Sequence, residues 1–145
     1  MTLNLEWQHR IDNWLRELPG LFYRPLGAVN MEGFITEEQL MPHEARQREF
    51  GAMPYGTAWG AKWQYGWFRG EFALPAEAEG ERIVLRLDVG GEAVVFVNGA
   101  AAGAKDREHT AITLAMAGRP GARYSVLAEA YAGHGPMVVG EGPVP

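Results

Sequence analysis

Glu71, Asp88, Glu92, Asp106 and Glu108 are side chains of the type that supplies the acid and the base of glycosidic cleavage. That chemistry needs two carboxyls facing each other across a cleft, about 5.5 Å apart for retention or about 6.5–9.5 Å for inversion. Their spacing along the chain places no two of them so, and no residue is assigned as catalytic. Glu92 stands at the mouth of an apolar run behind Gly90-Gly91, where its plainest role is a structural carboxylate that satisfies turn amides. The histidines, at 9, 43, 109 and 134, are far apart and form neither a His-x-Asp nor an HExxH pattern. His9 and Asp12 alone are too few ligands, so no metal site and no cofactor are expected in this chain. The one serine, Ser125, lies in a strand-like run with no G-x-S-x-G elbow. The glycines of GTAWG (56–60) lack the Lys-Ser/Thr that a phosphate loop requires.

Sugar recognition is the chemistry that the aromatic residues suggest. Trp59, Trp63 and Trp67 recur every four positions in GAMPYGTAWGAKWQYGWFRGE (51–71), among Tyr55, Tyr65, Phe68 and several glycines. The C–H face of a pyranose stacks on such rings, and polar side chains then bond its hydroxyls. The candidate carbohydrate-binding residues are Trp59, Trp63 and Tyr65, with Lys105, Asp106 and His109 as polar partners if the loops converge. Trp67 and Phe68 alternate in a strand and belong to the core. For Trp59 and Trp63, packing in the core or between domains is a simpler role than sugar contact. The glycines argue against a helix here and for an ordered loop entering a strand near Tyr65.

The elements that must position these residues follow from periodicity. Residues 2–18 form an amphipathic helix with Trp7, Ile11, Trp14, Leu15 and Leu18 on one face, stopped by Pro19-Gly20. It is expected to pack on the domain's own sheet; docking on another domain or subunit is the alternative. Residues 21–30 are an irregular packed segment. Thr36 to Gln39 fits a capping box opening a short helix that breaks near Pro42, and 43–49 is a solvated face.

From Tyr65 the period becomes two, with a first strand from Tyr65 that Pro75 ends and further strands at 82–88, 92–97, 100–103, 109–115 and 123–131. Ala93 to Val97 is apolar enough to be covered on both faces. Asn98-Gly99 is the strongest short hairpin signal, because a type I′ turn needs positive φ at both central residues. The fold class is therefore mainly β, an antiparallel β-sandwich with an N-terminal helix. It divides into a helix and extension packing on the sandwich (1–50), the sandwich (51–132), and a Gly/Pro-rich linker (133–145) for which Pro145 reads as a cut.

A length of 145 residues suits one domain able to bury roughly 70% of its unfolded surface. A net charge of −5 without a basic patch speaks against nucleic acid as a partner. No apolar run is long enough to span a membrane, and residues 1–19 lack a signal peptide's apolar core. With no cysteine, disulfides and thiolate metal sites are excluded, and the cytoplasm is the expected address.

Two patterns resemble known families. EAVVFVNGAAAG (92–103), followed by an alternating strand and YSVLAEAYA, resembles the V-x-V-N-G-x-x-x-G hairpin of galactose-binding-like jelly rolls in large glycoside hydrolases. WGAKWQYGWFRGEFALP (59–75) followed by VLRLDVGGEAVVFVNG is similar to the N-terminal domain of cytosolic-type α-mannosidases of glycoside hydrolase family 38. Those read W-G-P-x-W-x-T-x-W-F, a strand ending in Pro, then G-E-A-x-V-x-x-N-G. This chain departs at Ala61 and Tyr65, and the likeness covers 56–132.

The resemblance implies a galactose-binding-like jelly roll that is itself non-catalytic. Catalysis, with zinc held by His and Asp, would lie in a later α/β domain of the same polypeptide, and none of its residues transfers to this chain. The implied partner is that catalytic domain; a glycan and a homo-oligomer are further partners to test. Two readings compete: an autonomous carbohydrate-binding module using Trp59 and Trp63, and the sugar-binding domain of a β-galactosidase- or β-glucuronidase-type enzyme. Whether calcium binds is left open, with Glu77, Glu79 and Glu81 as its prompt.

Overall fold

The computed structural model describes residues 4–133. The expected linker, apart from Gly133, lies outside them. A helix, α1 (Leu5–Leu21), is followed by β1 (Glu32–Thr36), one short turn α2 (Pro42–Ala45), β2 (Gly51–Ala52) and β3 (Tyr65–Ala73). After a 3-10 turn at Ala76–Ala78 come β4 (Ile83–Arg86), β5 (Glu92–Val97), β6 (Ala100–Lys105), β7 (Ala111–Ala115) and β8 (Arg123–Tyr131). Six strands form one sheet in the order β2-β1-β3-β8-β5-β6, and β4 pairs β7 in a smaller second sheet. Every ladder is antiparallel. The expected β-sandwich is what the chain forms.

Period-two alternation explains the core. Phe68, Ala93, Val95, Val126, Ala128 and Ala130 project from the inner face of the larger sheet onto Leu85, Leu87 and Ile112 around the smaller one. At Asn98 (φ 50°) and Gly99 (φ 85°) the chain makes the expected tight turn. The backbone N–H of Asn98 donates to Ser125 O (2.8 Å) and its Oδ1 accepts from Ser125 N (2.9 Å), tying the hairpin to β8.

The N-terminal third departs from expectation. Thr36 opens no helix: it ends β1, and its hydroxyl accepts from Glu38 N (3.0 Å) in a local turn. The capping contact occurs five residues later, where Met41 N donates to Glu44 Oε2 (2.7 Å) and Pro42 takes the first helical position. β1 was hidden by Gly33, whose missing side chain the fold requires: a Cβ there would lie 2.9 Å from both Met53 Cγ and the Trp67 carbonyl. Residues 40–50 arch over the outer face of the larger sheet, where Ala45, Leu40 and Phe50 cover Trp67 and Leu127. Val94 is 42% exposed on that same face, so β5 is not covered on both sides as expected.

α1 runs through Pro19 to Leu21, and none of its residues is buried. Trp7 (53%), Ile11, Trp14 (71%), Leu15 and Leu18 are exposed, so the expected packing of this helix on the sheet is not what the structure shows. Between helix and sandwich, Leu26, Val29 and Met31 do pack against the core. Among the described residues no helix is long and apolar enough to cross a membrane.

Candidate functional site

In an antiparallel ladder, directly opposed residues share a face. Tyr65 opposes Tyr131, which opposes Glu92; one step along, Trp67 opposes Glu129, which opposes Val94, which opposes Ala104. Both rows lie on the outer face. The arch closes over Trp67 and stops there. The uncovered part is a groove of about 580 Å³, lined by Tyr65, Tyr131, Glu92, Glu129, Val94 and Ala104, with Lys105, Asp106 and His109 along one border.

The two tyrosine rings stand with centroids 5.0 Å apart and planes tilted by 33°. Beside them, Glu92 and Glu129 are diagonal neighbours on adjacent strands, a relation that separates residues by about 7–8 Å. Neither carboxylate makes a hydrogen bond or ion pair among the described residues. Partial burial with no compensating cation raises the Glu129 pKa.

At the border the loop is held by Asp106. Its Oδ1 accepts from Glu108 N (2.8 Å) and His109 N (2.6 Å), and both its oxygens lie 3.0 Å from His109 Nδ1. The backbone and side-chain bonds from His109 hold the Asp106 pKa down to about 2, and the same side-chain bond raises that of His109. The turn also delays β7, which begins at Ala111 instead of His109.

Of the six residues predicted to bind sugar, Tyr65, Lys105, Asp106 and His109 come together at this groove, with Lys105 buried and its Nζ 3.9 Å from Asp88 Oδ1. Trp59 does not join them. Its ring meets Phe68 edge-on (5.2 Å between centroids) and its Nε1–H donates to Val89 O (2.8 Å), so it packs against the core between the sheets. Trp63, at φ 68° and 39% exposed, is not among the groove's lining residues.

Glu92 is not the carboxylate that caps the neighbouring turn: Asp88 Oδ1 accepts from Gly90 N (3.1 Å), leaving Glu92 to the groove. Glu129 and Tyr131 were missed because nothing within β8 itself shows which strands will flank it. Glu92 and Glu129 stand side by side on one sheet surface, not opposed across a cleft as the acid and base of glycosidic cleavage are. The residues present do not fit zinc: no group of three or more His, Asp or Glu side chains gathers among the described residues.

The sequence profile of the α-mannosidase jelly roll domain matches residues 25–140. A stretch of 69 residues is 33% identical to human alpha-mannosidase 2C1, covering 48% of this chain and 7% of that protein. Over 82 residues the identity to mouse alpha-mannosidase 2C1 is 29%, covering 57% of this chain and 8% of that protein. The chain thus spans less than a tenth of the relatives it matches. A solved β-glucuronidase from Ruminococcus gnavus, in complex with D-glucuronic acid, superposes with a TM-score of 0.47 at 17% identity, over 75% of this chain and 23% of that one.

Proposed function

Because the chain belongs to the family of α-mannosidase jelly roll domains, we propose that it is the non-catalytic N-terminal sandwich of an α-mannosidase-type glycoside hydrolase, docked on that enzyme's catalytic domain. The observation that carries this reading is the bare face of α1. A 17-residue helix is about 25 Å long and marginal in water by itself. Its own supports are slight and all exposed: Asn4 Oδ1 capping Trp7 N at 3.0 Å, a Glu6–Arg10 pair at 3.0 Å, the Arg10 guanidinium 5.2 Å over the Trp7 ring, and Arg16 bonded to Asp12 O and Asn13 Oδ1. Trp7, Ile11, Trp14, Leu15 and Leu18 repeat at the spacing of one helical face, and no described residue buries them. A helix patterned in this way gains most of its stability from a surface laid against that stripe.

The stripe precedes the part of the chain that matches the jelly roll profile, so it is an addition to the sandwich and not one of its layers. In this reading the catalytic domain covers it, and the zinc and the reacting carboxylates belong to that domain. A cytoplasmic address accompanies the proposal, since a chain without cysteine suits a reducing compartment.

The test is to express the catalytic domain of an α-mannosidase of this family as a second polypeptide and measure its binding to this chain by calorimetry. We expect a complex that is lost in the Trp7→Ser/Trp14→Ser pair while the melting temperature of the isolated chain stays unchanged. Turnover of an aryl α-mannoside by the 145-residue chain alone would overturn the non-catalytic reading. Self-association of the chain through the same two tryptophans would move the interface to a second copy.

A further inference from the structure

We propose that the groove on the outer sheet face is a subsite for one neutral pyranose unit of an oligosaccharide, held between the Tyr65–Tyr131 rings and the Glu92 and Glu129 carboxylates. It goes beyond the docking role and rests on the α-mannosidase-type reading only for the choice of sugar. Three features of the groove converge on a polyol with an apolar face.

The first is the lining. Tyr65 and Tyr131 form an aromatic wall, and Val94, 42% exposed, lies in the groove between Glu129 and Ala104. Together they offer electron-rich ring and methyl surface to the C–H groups of a sugar. A volume of about 580 Å³ is in the range of small-molecule sites.

The second is the excess of acceptors. An ionised carboxylate only accepts hydrogen bonds, and neither Glu92 nor Glu129 receives one from the described residues. Sugar hydroxyls are the complementary donors, and O–H to carboxylate bonds are short and strong.

The third feature separates a neutral sugar from a cation. Asp106 engages His109 through Nδ1, which leaves Nε2 as the imidazole's remaining polar atom and favours its charged form. The groove border therefore presents Nε2, a donor when the ring is charged and an acceptor when it is neutral, in addition to the two carboxylate acceptors. Hydroxyls both donate and accept, so a pyranose can use all three groups. An ammonium or guanidinium ligand, which only donates, would use the carboxylates and find no acceptor in a protonated Nε2.

The experiment is an amide NMR titration of the 145-residue chain with methyl α-mannoside and an α-linked mannobiose, with methylammonium as the cationic arm. We expect saturable shifts confined to Tyr65, Glu92 to Val94, Ala104 to Asp106, His109, and Glu129 to Tyr131. Affinity should fall about tenfold in Glu92→Gln and in Glu129→Gln, the loss of one charge-assisted bond. Both substitutions are isosteric, and unmoved amides outside the groove establish that the variants are folded. Trp14→Ser, in α1, should bind as the native chain does.

Absence of saccharide shifts, shifts from methylammonium alone, or shifts centred on Trp59 and Trp63 would each overturn the proposal. None of these outcomes touches the docking role, which α1 tests separately.

Discussion

Trp59 divides a packing role from a sugar-binding role most sharply. Its ring sits edge-on to Phe68, and its Nε1–H donates to the carbonyl of Val89, a residue only 7% exposed. The surroundings are close-fitted: a Cβ at Gly66 would come within 2.8 Å of the Trp59 ring, so a glycine is needed there to admit it. Trp59→Phe keeps an aromatic ring against Phe68 and deletes the donor, leaving the Val89 carbonyl short of a partner. The cost should be about 1–2 kcal/mol, one net hydrogen bond plus part of the desolvation of that carbonyl. Trp59→Ala removes the ring as well. Full burial would make that change worth about 3–5 kcal/mol, and the half-burial of Trp59 places it near 3 kcal/mol. At roughly 3 °C per kcal/mol for a chain of this size, the two variants should melt about 3–6 °C and about 9 °C below the native chain. Differential scanning calorimetry on the three proteins measures this. An unchanged melting temperature in Trp59→Ala, accompanied by a loss of sugar affinity, would refute the assignment and restore Trp59 as a binding residue.

Two further changes test the frame and its border loop. Gly118→Ala should destabilise by about 2–3 kcal/mol by overpacking, since its Cβ would fall 2.2 Å from the Ala78 carbonyl and 2.9 Å from Ile83 Cγ1. The backbone there cannot give way, because Gly118 N donates to Glu81 O (2.7 Å) and Gly118 O accepts from Gly80 N (3.0 Å). Gly27→Ala, with open space around it, is the matched control and should stay within about 0.5 kcal/mol in urea unfolding. The Asp106–His109 contact should show in a histidine NMR titration: His109 titrates above 6.5 in the native chain and returns towards that value in Asp106→Asn. For the raised His109, the stabilisation is full below pH 6.5 and fades as pH rises through the folded value. For Asp106 it is present above 3.8 and fades as pH falls towards about 2, so the contact is strongest between those limits. A His109 midpoint that Asp106→Asn leaves unmoved would remove the contact from solution.

The elements written in the sequence are those whose stabilising pattern is local. β3 begins at Tyr65 and ends before Pro75, β5 and β8 have the residue bounds read from the period of two, and Asn98-Gly99 turns as its type demands. β1 and β2 were not legible, since Gly33 reads as a strand breaker until the Trp67 carbonyl and Met53 are known to occupy its side-chain space. The Thr36 signal was genuine as a turn but not as a helix, because a hydroxyl caps either one with the same bond. The candidate site was half legible for a related reason. Tyr65, Asp106 and His109 could be picked by type, whereas Glu129 and Tyr131 become groove residues only once β8 pairs with β3 on one side and β5 on the other.

That pairing also explains why the outer face of the larger sheet is closed on one side and open on the other. Where the facing residues are Trp67, Leu127 and Phe96, the arch of residues 40–50 lays Leu40, Ala45 and Phe50 over them, and the apolar area withdrawn from water holds the arch down. One strand-step towards Tyr65 the face changes to Glu92, Glu129 and Tyr131, and extending the arch would bury two carboxylates that no cation among the described residues is paired with. The cost of desolvating such charges exceeds what Val94 and Ala104 could return as buried apolar surface. Glu129, opposed to Trp67 across the ladder, stands at this boundary, and its raised pKa is the trace of a charge already partly withdrawn from water. The groove is therefore the place where the sequence stops supplying apolar partners for the arch. Their presence at the boundary leaves this surface outside the cover that the arch provides.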